Sequence, residues 1–250
     1  MNKILVVDIE TAPNLGYTWG KWQQNVISFK EDWYILSYAY KWLGDKKTHA
    51  KSLTSYKSYE KGSMDDKELC ADLWKLFDEA DIIIAHNGLS FDIKKSNARF
   101  IIHGFNPPAP YKIIDTKLEA KHYFKFDSNK LSELGKYFHV GTKLQTGGFQ
   151  LWLGCMAGQK KSWKTMVEYN KQDVVLLEKV YLKLRGWIKN HPNLNILQLT
   201  NDNCPNCGKD TLKRSGIVST RVWVYKRYQC TTCGAWCRGK RIVNKGGMVR

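Results

Sequence analysis

The chain has 250 residues, which is enough for one α/β domain of good size and a small second module. Its composition, 43% hydrophobic and 25% charged, is ordinary for a globular protein. No run approaches the roughly 20 apolar residues that cross a bilayer, which excludes a membrane-spanning chain. The net charge of +17 favours a polyanionic partner, most commonly nucleic acid, with solubility alone as the alternative.

The predicted elements, taken in chain order, indicate an α/β sheet that begins with an antiparallel meander. Strands are predicted near residues 3–9, 33–42, 47–54, 81–86 and 112–114, and helices near residues 64–78, 91–103, 129–138 and 162–189. The first strand is a continuous aliphatic run, which is typical of a strand buried on both faces. The N-terminal segment turns acidic at Asp8 after four apolar residues, too few for a signal-peptide core, so we expect a cytoplasmic protein.

Two acids, Asp8 and Glu10, lie where the first predicted strand ends. Side chains alternate between the faces of a strand, so these two carboxylates point the same way. Two charges on one face of a buried strand are costly unless something neutralises them. Mg²⁺ prefers such carboxylate ligands, whereas a strand that simply emerges into solvent is the alternative.

Two later segments each carry a further acid. Asp92 follows a predicted strand and a glycine-containing turn, at the start of a predicted helix, where capping or the helix dipole would also favour it. Tyr169 and Asp173 are four residues apart in the long predicted helix and share one face, which draws Asp173 towards the interior. The alternative for Asp173 is an exposed position beside Lys171.

Together these segments resemble, in order and context, the three motifs of the DEDD (DnaQ-like) 3′→5′ exonuclease superfamily. The segments are Asp8-Ile9-Glu10, Asn87 to Phe91-Asp92, and Tyr169-x-x-x-Asp173. The tyrosine is typical of the branch that includes the proofreading domains of family-B DNA polymerases. Asp8 to Pro13 is similar to the opening of stand-alone exonucleases often encoded by phages, for which the compartment would be the host cytoplasm. The resemblance covers residues 3–190 and implies an RNase H-like fold, with a mixed five-stranded sheet flanked by helices.

The resemblance also implies a mechanism. Two Mg²⁺ or Mn²⁺ ions would hydrolyse the terminal phosphodiester at the 3′ end of DNA, with single strands preferred. The implied metal ligands are Asp8, Glu10, Asp92 and Asp173. Tyr169 would orient the water and the phosphate, Asn87 would contact substrate, and Phe91 would pack against a terminal base or sugar, with core packing as the alternative for Phe91. RNA as substrate, or a catalytically silent nucleic-acid-binding module, stays open.

Five of the seven cysteines lie in the last fifth of the chain. Two Cys-x-x-Cys-Gly knuckles, separated by residues 208–229, predict a closed Cys₄ site for one structural Zn²⁺. The predicted ligands are Cys204, Cys207, Cys230 and Cys233. Strands are predicted at 216–218 and 221–228, which resembles a zinc ribbon, and Cys237 is interpreted as free.

The ribbon segment is strongly basic. Residues 203–250 carry eleven Lys or Arg and one acid, Asp210, and therefore +10 of the net charge. We expect Arg221, Lys226 and Arg227, which alternate with aromatic residues, to contact nucleic acid. The alternative is a ribbon that docks a replication or repair protein, such as a polymerase or a single-strand-binding protein. The predicted division is an exonuclease domain (1–190), a linker (191–202) and a ribbon with a basic tail (203–250).

Overall fold

A computed structural model describes residues 3–22, 25–198 and 202–242. Residues 199–201 of the predicted linker and 243–250 of the predicted basic tail lie outside the described residues. The strands are β1 (Ile4–Thr11), β2 (Leu15–Tyr17), β3 (Ser28–Glu31), β4 (Ile35–Trp42), β5 (His49–Ser52), β6 (Ile82–Ala85), β7 (Lys112–Asp115), β8 (Leu212–Ser219), β9 (Val224–Cys230) and β10 (Trp236–Ile242). The helices are α1 (Lys67–Glu79), α2 (Asp92–Ile102), α3 (Thr116–Tyr123), α4 (Leu131–Tyr137), α5 (Gln150–Met156), α6 (Lys160–Leu184) and α7 (Leu194–Gln198).

A mixed sheet in the order β5-β4-β1-β6-β7 forms the centre of the larger unit. The meander β1-β4-β5 is antiparallel, and β6 and β7 run parallel to β1. Parallel neighbours require crossover connections, which here contain α1 and α2. The predicted fold class, a five-stranded mixed sheet flanked by helices, is confirmed.

Both faces of the central strand β1 are buried, as its aliphatic sequence predicts. Leu5 and Val7 pack into an apolar cluster with α1, α2 and α5. Val6 faces the opposite cluster, which is built largely by α4 and the second half of α6. Alternation along β1 therefore continues the α6-facing row from Val6 to Asp8 and Glu10.

The long helix ends earlier than the sequence pattern predicts. α6 stops at Leu184 instead of residue 189, with Arg185 as its C-cap. Gly186 follows, and a Cβ at this position would lie 2.1 Å from the carbonyl oxygen of Cys233, so the backbone here fits directly against the second knuckle. The short helices α3 and α5 were not predicted, and α7 lies inside the predicted linker.

The C-terminal unit is a three-stranded antiparallel sheet in the order β10-β9-β8. It packs against the end of α6. The side-chain amide of Asn206, which is 9% exposed, donates hydrogen bonds to the carbonyl oxygens of Arg185 and Ile188 at 3.0 and 3.1 Å. These contacts fix the first knuckle on the helix terminus. Within the described parts of the chain, no helix combines the length and apolar character that crossing a membrane requires.

Candidate active site

The first pair of predicted site residues lies on β1, where it runs beside β4. Asp8 is opposite Ala39 and Glu10 is opposite Ser37, with an irregularity in the pairing directly after Glu10. Both acids are half-buried and share the face that α6 covers. The two carboxylates thus lie between the central strand and the long helix.

Helix α6 brings a third acid to this pair. One oxygen each from Asp8, Glu10 and Asp173 lies within 4.8 Å of the others. Asp173 is fully buried, and its Oδ1 has no hydrogen-bond partner among the described residues. The structure therefore brings together three of the four predicted metal ligands, although they are far apart in sequence.

The fourth acid, Asp92, is the first residue of α2 and is 2% exposed. Its Oδ1 accepts a hydrogen bond of 3.1 Å from the backbone N–H of Ile9, the residue between the β1 acids. Asp92 also raises the pKa values of Asp8 and Glu10 through its negative charge. It thus lies against the same cluster on the β1 side.

Burial and mutual repulsion weaken the acidity of the cluster. Burial, then the charge of Glu10, raises the pKa of Asp8 well above its usual range. Burial, then the charge of Asp173, raises the pKa of Glu10 to about 8. Burial likewise raises the pKa of Asp92 to about 7 and also raises the pKa of Asp173. Such raised values indicate that the cluster lacks positive charge.

Lys143 supplies part of that charge. It lies outside the helices and strands, and its ammonium forms an ion pair with Asp173 and donates a 3.1 Å hydrogen bond to the phenol of Tyr169. Burial opposes the charge on Lys143, but Asp173 outweighs it and holds the lysine pKa above its usual range. Burial, then the charge of Asp173, raises the pKa of Tyr169, so the phenol is protonated at neutral pH.

Asn170 fixes the position of Asp8. The amide of this fully buried residue donates to Asp8 Oδ2 at 2.6 Å and to the backbone oxygen of Asp8 at 3.2 Å. The Oδ1 of Asn170 in turn accepts a hydrogen bond of 3.1 Å from Ser37 Oγ on β4. A chain of polar contacts therefore joins β4, α6 and the first carboxylate.

The cluster fits hard divalent cations. The ion pair with Lys143 offsets one of four negative charges, and the described residues place no second cation in hydrogen-bond contact with the acids. Buried carboxylates that lack a counter-charge are costly, and oxygen donors of this kind are those that Mg²⁺ and Mn²⁺ take. The unpartnered Oδ1 of Asp173 is one such donor.

The turn before α2 positions the two predicted substrate contacts. Asn87 has a left-handed backbone with φ 67°, its N–H donates to Asp115 at 2.9 Å, and its Oδ1 accepts from Lys117 at 3.2 Å. Phe91 precedes α2 and is half-buried against the core, with Lys95 Nζ 6.0 Å from its ring. Phe91 directly precedes Asp92, and Asn87 lies at the start of the same turn, where its backbone oxygen accepts from the N–H of Phe91 at 3.0 Å.

His86 belongs to the framework of this turn. Its Nδ1 contacts the Thr116 hydroxyl at 2.9 Å and its Nε2 contacts the Asn129 carbonyl oxygen at 3.0 Å. Burial lowers the pKa of His86 to about 4, so the ring is neutral at pH 7. Both ring nitrogens are engaged, which agrees with a structural role.

The four knuckle cysteines meet in the C-terminal unit. Their sulfurs all lie within 4.8 Å of one another, with Cys204 3.6 Å from Cys233 and Cys207 3.6 Å from Cys230. Four thiols at this separation are compatible with the predicted tetrahedral zinc site of a small ribbon. Cys237 lies outside this group, on β10 opposite Tyr228.

The three predicted ribbon cations occupy different places. Arg221 lies in the exposed turn between β8 and β9. Lys226 and Arg227 are neighbours on β9, so their side chains point to opposite faces of the sheet. Lys226 lines a groove with Tyr228, whereas Arg227 stacks on the other face.

Sequence reasoning missed Lys143, Asn170 and Asp115. Asp115 ends β7, caps α3 and accepts hydrogen bonds from the turn at Asn87. A signal was present for Asn170, which is three residues before Asp173 and therefore on the same side of α6. Lys143 gives no such signal, because it lies in a segment without periodicity.

Comparisons with known proteins agree with this geometry. The sequence model of the RNase H superfamily matches residues 41–185, more than half of the chain. Among solved structures, the chain is similar to the family B DNA polymerase from the hyperthermophilic archaeon Pyrobaculum calidifontis, with 14% identity and a TM-score of 0.51. The match covers 91% of this chain and 32% of the polymerase, and at this identity it establishes the fold alone. No curated protein matches the sequence. The chain therefore belongs to the RNase H superfamily.

Proposed function

We propose that this protein is a metal-dependent 3′→5′ exonuclease that removes nucleotides from the 3′ end of DNA and prefers single strands. The observation that carries the proposal is the meeting of Asp8, Glu10 and Asp173 within 4.8 Å. Membership of the RNase H superfamily supports a nuclease, and the similar fold in a DNA polymerase agrees with a nucleic-acid substrate. The proposed 3′→5′ direction rests on the resemblance of the three motifs to the tyrosine-containing branch of the DEDD superfamily.

In the proposed site, Asp8, Glu10, Asp92 and Asp173 hold two Mg²⁺ or Mn²⁺ ions. When bound, such a pair supplies an activated water and stabilises the leaving 3′-oxygen. Asn170 keeps the Asp8 carboxylate aimed into the cluster through its 2.6 Å hydrogen bond. The four acids would provide the negative charge that holds the ions.

Tyr169 acts in this proposal as a hydrogen-bond donor. Burial and the charge of Asp173 hold the pKa of Tyr169 above its usual range, which makes the phenol a poor base and a persistent donor at pH 7. It would orient the water or the scissile phosphate, while Lys143 holds Tyr169 and Asp173 together. Asn87 and Phe91 would receive the terminal nucleotide beside Asp92.

The C-terminal unit is proposed to be a zinc ribbon that strengthens substrate binding. Its cysteine cluster and its excess of Lys and Arg support this role. Because the ribbon packs directly on the end of α6, it and the catalytic unit would engage one strand together. The division into residues 1–190, 191–202 and 203–250 remains a proposal.

Linear and circular single strands of one sequence test the exonuclease assignment. The linear strand, labelled at its 3′ end, is expected to release a labelled mononucleotide at once, and the circle is expected to stay intact because it has no end. Tyr169→Phe should slow release about 10- to 100-fold, as for loss of a group that orients a metal site, while Asp8→Ala should reduce release to background. Opening of the circle would indicate an endonuclease, and cleavage of RNA alone would reassign the substrate.

A further inference from the structure

One face of the ribbon sheet carries cations and aromatic rings in alternation. Pairing across β9 and β10 places Arg227 opposite Arg238 and Tyr225 opposite Arg241. Residues opposite each other lie on the same face, as do alternate residues of one strand. The arginine–aromatic face defined in this way comprises Trp223, Tyr225, Arg227, Trp236, Arg238 and Arg241.

Each arginine on this face lies over a ring. Arg241 is 3.6 Å from the ring centroid of Trp223, Arg227 is 4.8 Å from that of Trp236, and Arg238 is 5.0 Å from that of Tyr225. A guanidinium held against a ring keeps its donors in a fixed plane. The Nε–H of Arg227 also donates to the backbone oxygen of Ser215 at 2.8 Å, which further fixes that guanidinium. The three pairs therefore form a prearranged row of donors that alternates with aromatic surface.

The face has no acidic counterpart. Among the described residues, no Lys or Arg of 203–242 takes part in an ion pair. Asp202 and Asp210 line a groove together with Lys226 and Tyr228, and Arg238 lies at the same groove, but no ion pair joins these acids to it. The charge on the arginine–aromatic face is therefore available to an outside anion, and a repeated row of cations suits a polyanion.

The exposed rings specify the kind of polyanion. Trp223 and Trp236 are 44% and 52% exposed, although large apolar surfaces of this kind are usually buried. Flat aromatic surfaces next to phosphate-binding cations are the elements that bind unpaired bases, since every base offers a π-face. In a duplex these base faces are covered by their neighbours, so the rings would remain without a partner.

From these observations we infer that the arginine–aromatic face is a docking surface for single-stranded nucleic acid. The inference rests on the proposed function only in assigning the ribbon to substrate binding, and it does not require cleavage. The ribbon contacts the end of α6 at Arg185, which is about 18 Å along the helix from Asp173 at a rise of about 1.5 Å per residue. Asn206 and Gly186 fix it there, so the docking surface has a constant position relative to the acid cluster.

Fluorescence anisotropy tests the inference with the full-length, zinc-loaded chain carrying Asp8→Ala, so that the probes stay intact. The probes are labelled single strands of about 12 nucleotides, as DNA and as RNA, and the matching DNA duplex. Trp223→Ala and Arg241→Ala should each weaken binding of a single strand on the order of 10-fold. Trp223→Phe should restore most of the loss. Arg214→Ala removes the same charge as Arg241→Ala from the opposite face, because Arg214 is exposed on β8 and pairs with Tyr228, and it should change binding less than about 2-fold.

Equal weakening by Arg214→Ala and Arg241→Ala would overturn the inference, because it would indicate charge alone. Binding of Trp223→Ala with wild-type affinity would also overturn it. So would a DNA duplex that binds as tightly as the single strand and whose binding is weakened as much by the variants. The zinc content of each variant shows whether its ribbon is folded. If Trp223→Ala loses its zinc, the comparison of Arg241→Ala and Trp223→Phe with wild type decides the result. If the chain with Asp8 intact binds single strands but does not cleave them, the proposed exonuclease is refuted and the docking surface is retained. If it cleaves DNA but the variants do not lose binding, the docking surface is refuted and the exonuclease is retained.

Discussion

Replacement of Asn170 by leucine tests how the acid cluster is held. Leucine has a similar shape but cannot donate, so Asn170→Leu removes the 2.6 Å hydrogen bond to Asp8 Oδ2 and strands the hydroxyl of Ser37. Asp8 then loses the group that aims it between β1 and α6. We expect weaker binding of the catalytic metal with little change in the fold of the sheet.

The size of the effect follows from the contacts. A hydrogen bond to a charged group contributes about 1.5–3 kcal/mol, which corresponds to roughly 10- to 150-fold in a binding constant. Loss of a residue that orients a metal ligand typically costs about 10- to 100-fold in affinity or activity. Ser37→Ala removes only the outer, neutral hydrogen bond, and about 1 kcal/mol, or roughly 5-fold, is expected.

The assay is the initial rate of nucleotide release as a function of Mg²⁺ concentration. Asn170→Leu should need about 10 to 100 times more Mg²⁺ than wild type to reach half of its maximal rate. It should recover part of the wild-type rate at high Mg²⁺. Asp8→Ala should not recover at any concentration. Unchanged Mg²⁺ dependence in Asn170→Leu, with normal melting, would refute the positioning role, and a Ser37→Ala effect larger than that of Asn170→Leu would refute the order of the contacts.

Three further predictions concern stability and zinc. Asp66→Asn leaves Arg99 buried without its charged partner, which costs about 3–5 kcal/mol and should lower the melting temperature by roughly 6–20 °C. The exposed control Asp127→Asn should melt within about 2 °C of wild type, and equal melting of the two variants would contradict this. Gly186→Ala places a Cβ 2.1 Å from the Cys233 carbonyl oxygen, so zinc should leave faster in a chelator competition; an unchanged release rate would contradict the close packing. Chelation of zinc should unfold the ribbon and leave the melting transition of the larger α/β unit unchanged. A ribbon that keeps its structure without metal would exclude a folding role for zinc.

The acid cluster could be predicted because each acid has its own local context. Asp8 and Glu10 follow the aliphatic run within β1, and Asp92 opens a helix after a turn. Asp173 lies on an apolar helix face, where burial requires a counter-charge. Each context alone is ambiguous, and only the order of the three motifs along the chain predicts that the four acids form one metal site.

The partners of the acids could not be predicted in the same way. Lys143 is 30 residues from Asp173 and lies in a stretch without helical or strand periodicity, so its contact is a property of tertiary structure. Asn170 shares a side of α6 with Asp173, but its hydrogen bonds to Asp8 and Ser37 are evident only when the positions of β1 and β4 are known. Hydrogen bonds across elements depend on packing that local patterns do not encode.

Short and charged elements were also missed, for physical reasons. α3 and α5 have eight and seven residues, too few turns for a periodic pattern to stand out. β10 alternates cations with other residues and was interpreted as a basic tail, although it pairs with β9. Arg238 stacks on Tyr225 of β9 and Arg241 stacks on Trp223 just before that strand, so the pattern of β10 reflects the arginine–aromatic face and not a buried layer.

The most direct test of the central claim measures release of a 3′ label from single-stranded DNA by the zinc-loaded protein, with and without added Mg²⁺. We predict rapid mononucleotide release that requires Mg²⁺ and is lost in Asp8→Ala and in Asp173→Asn, both of which should keep their zinc. Release that is independent of Mg²⁺, or that persists in both variants, would contradict the assignment of the acid cluster as the site of hydrolysis.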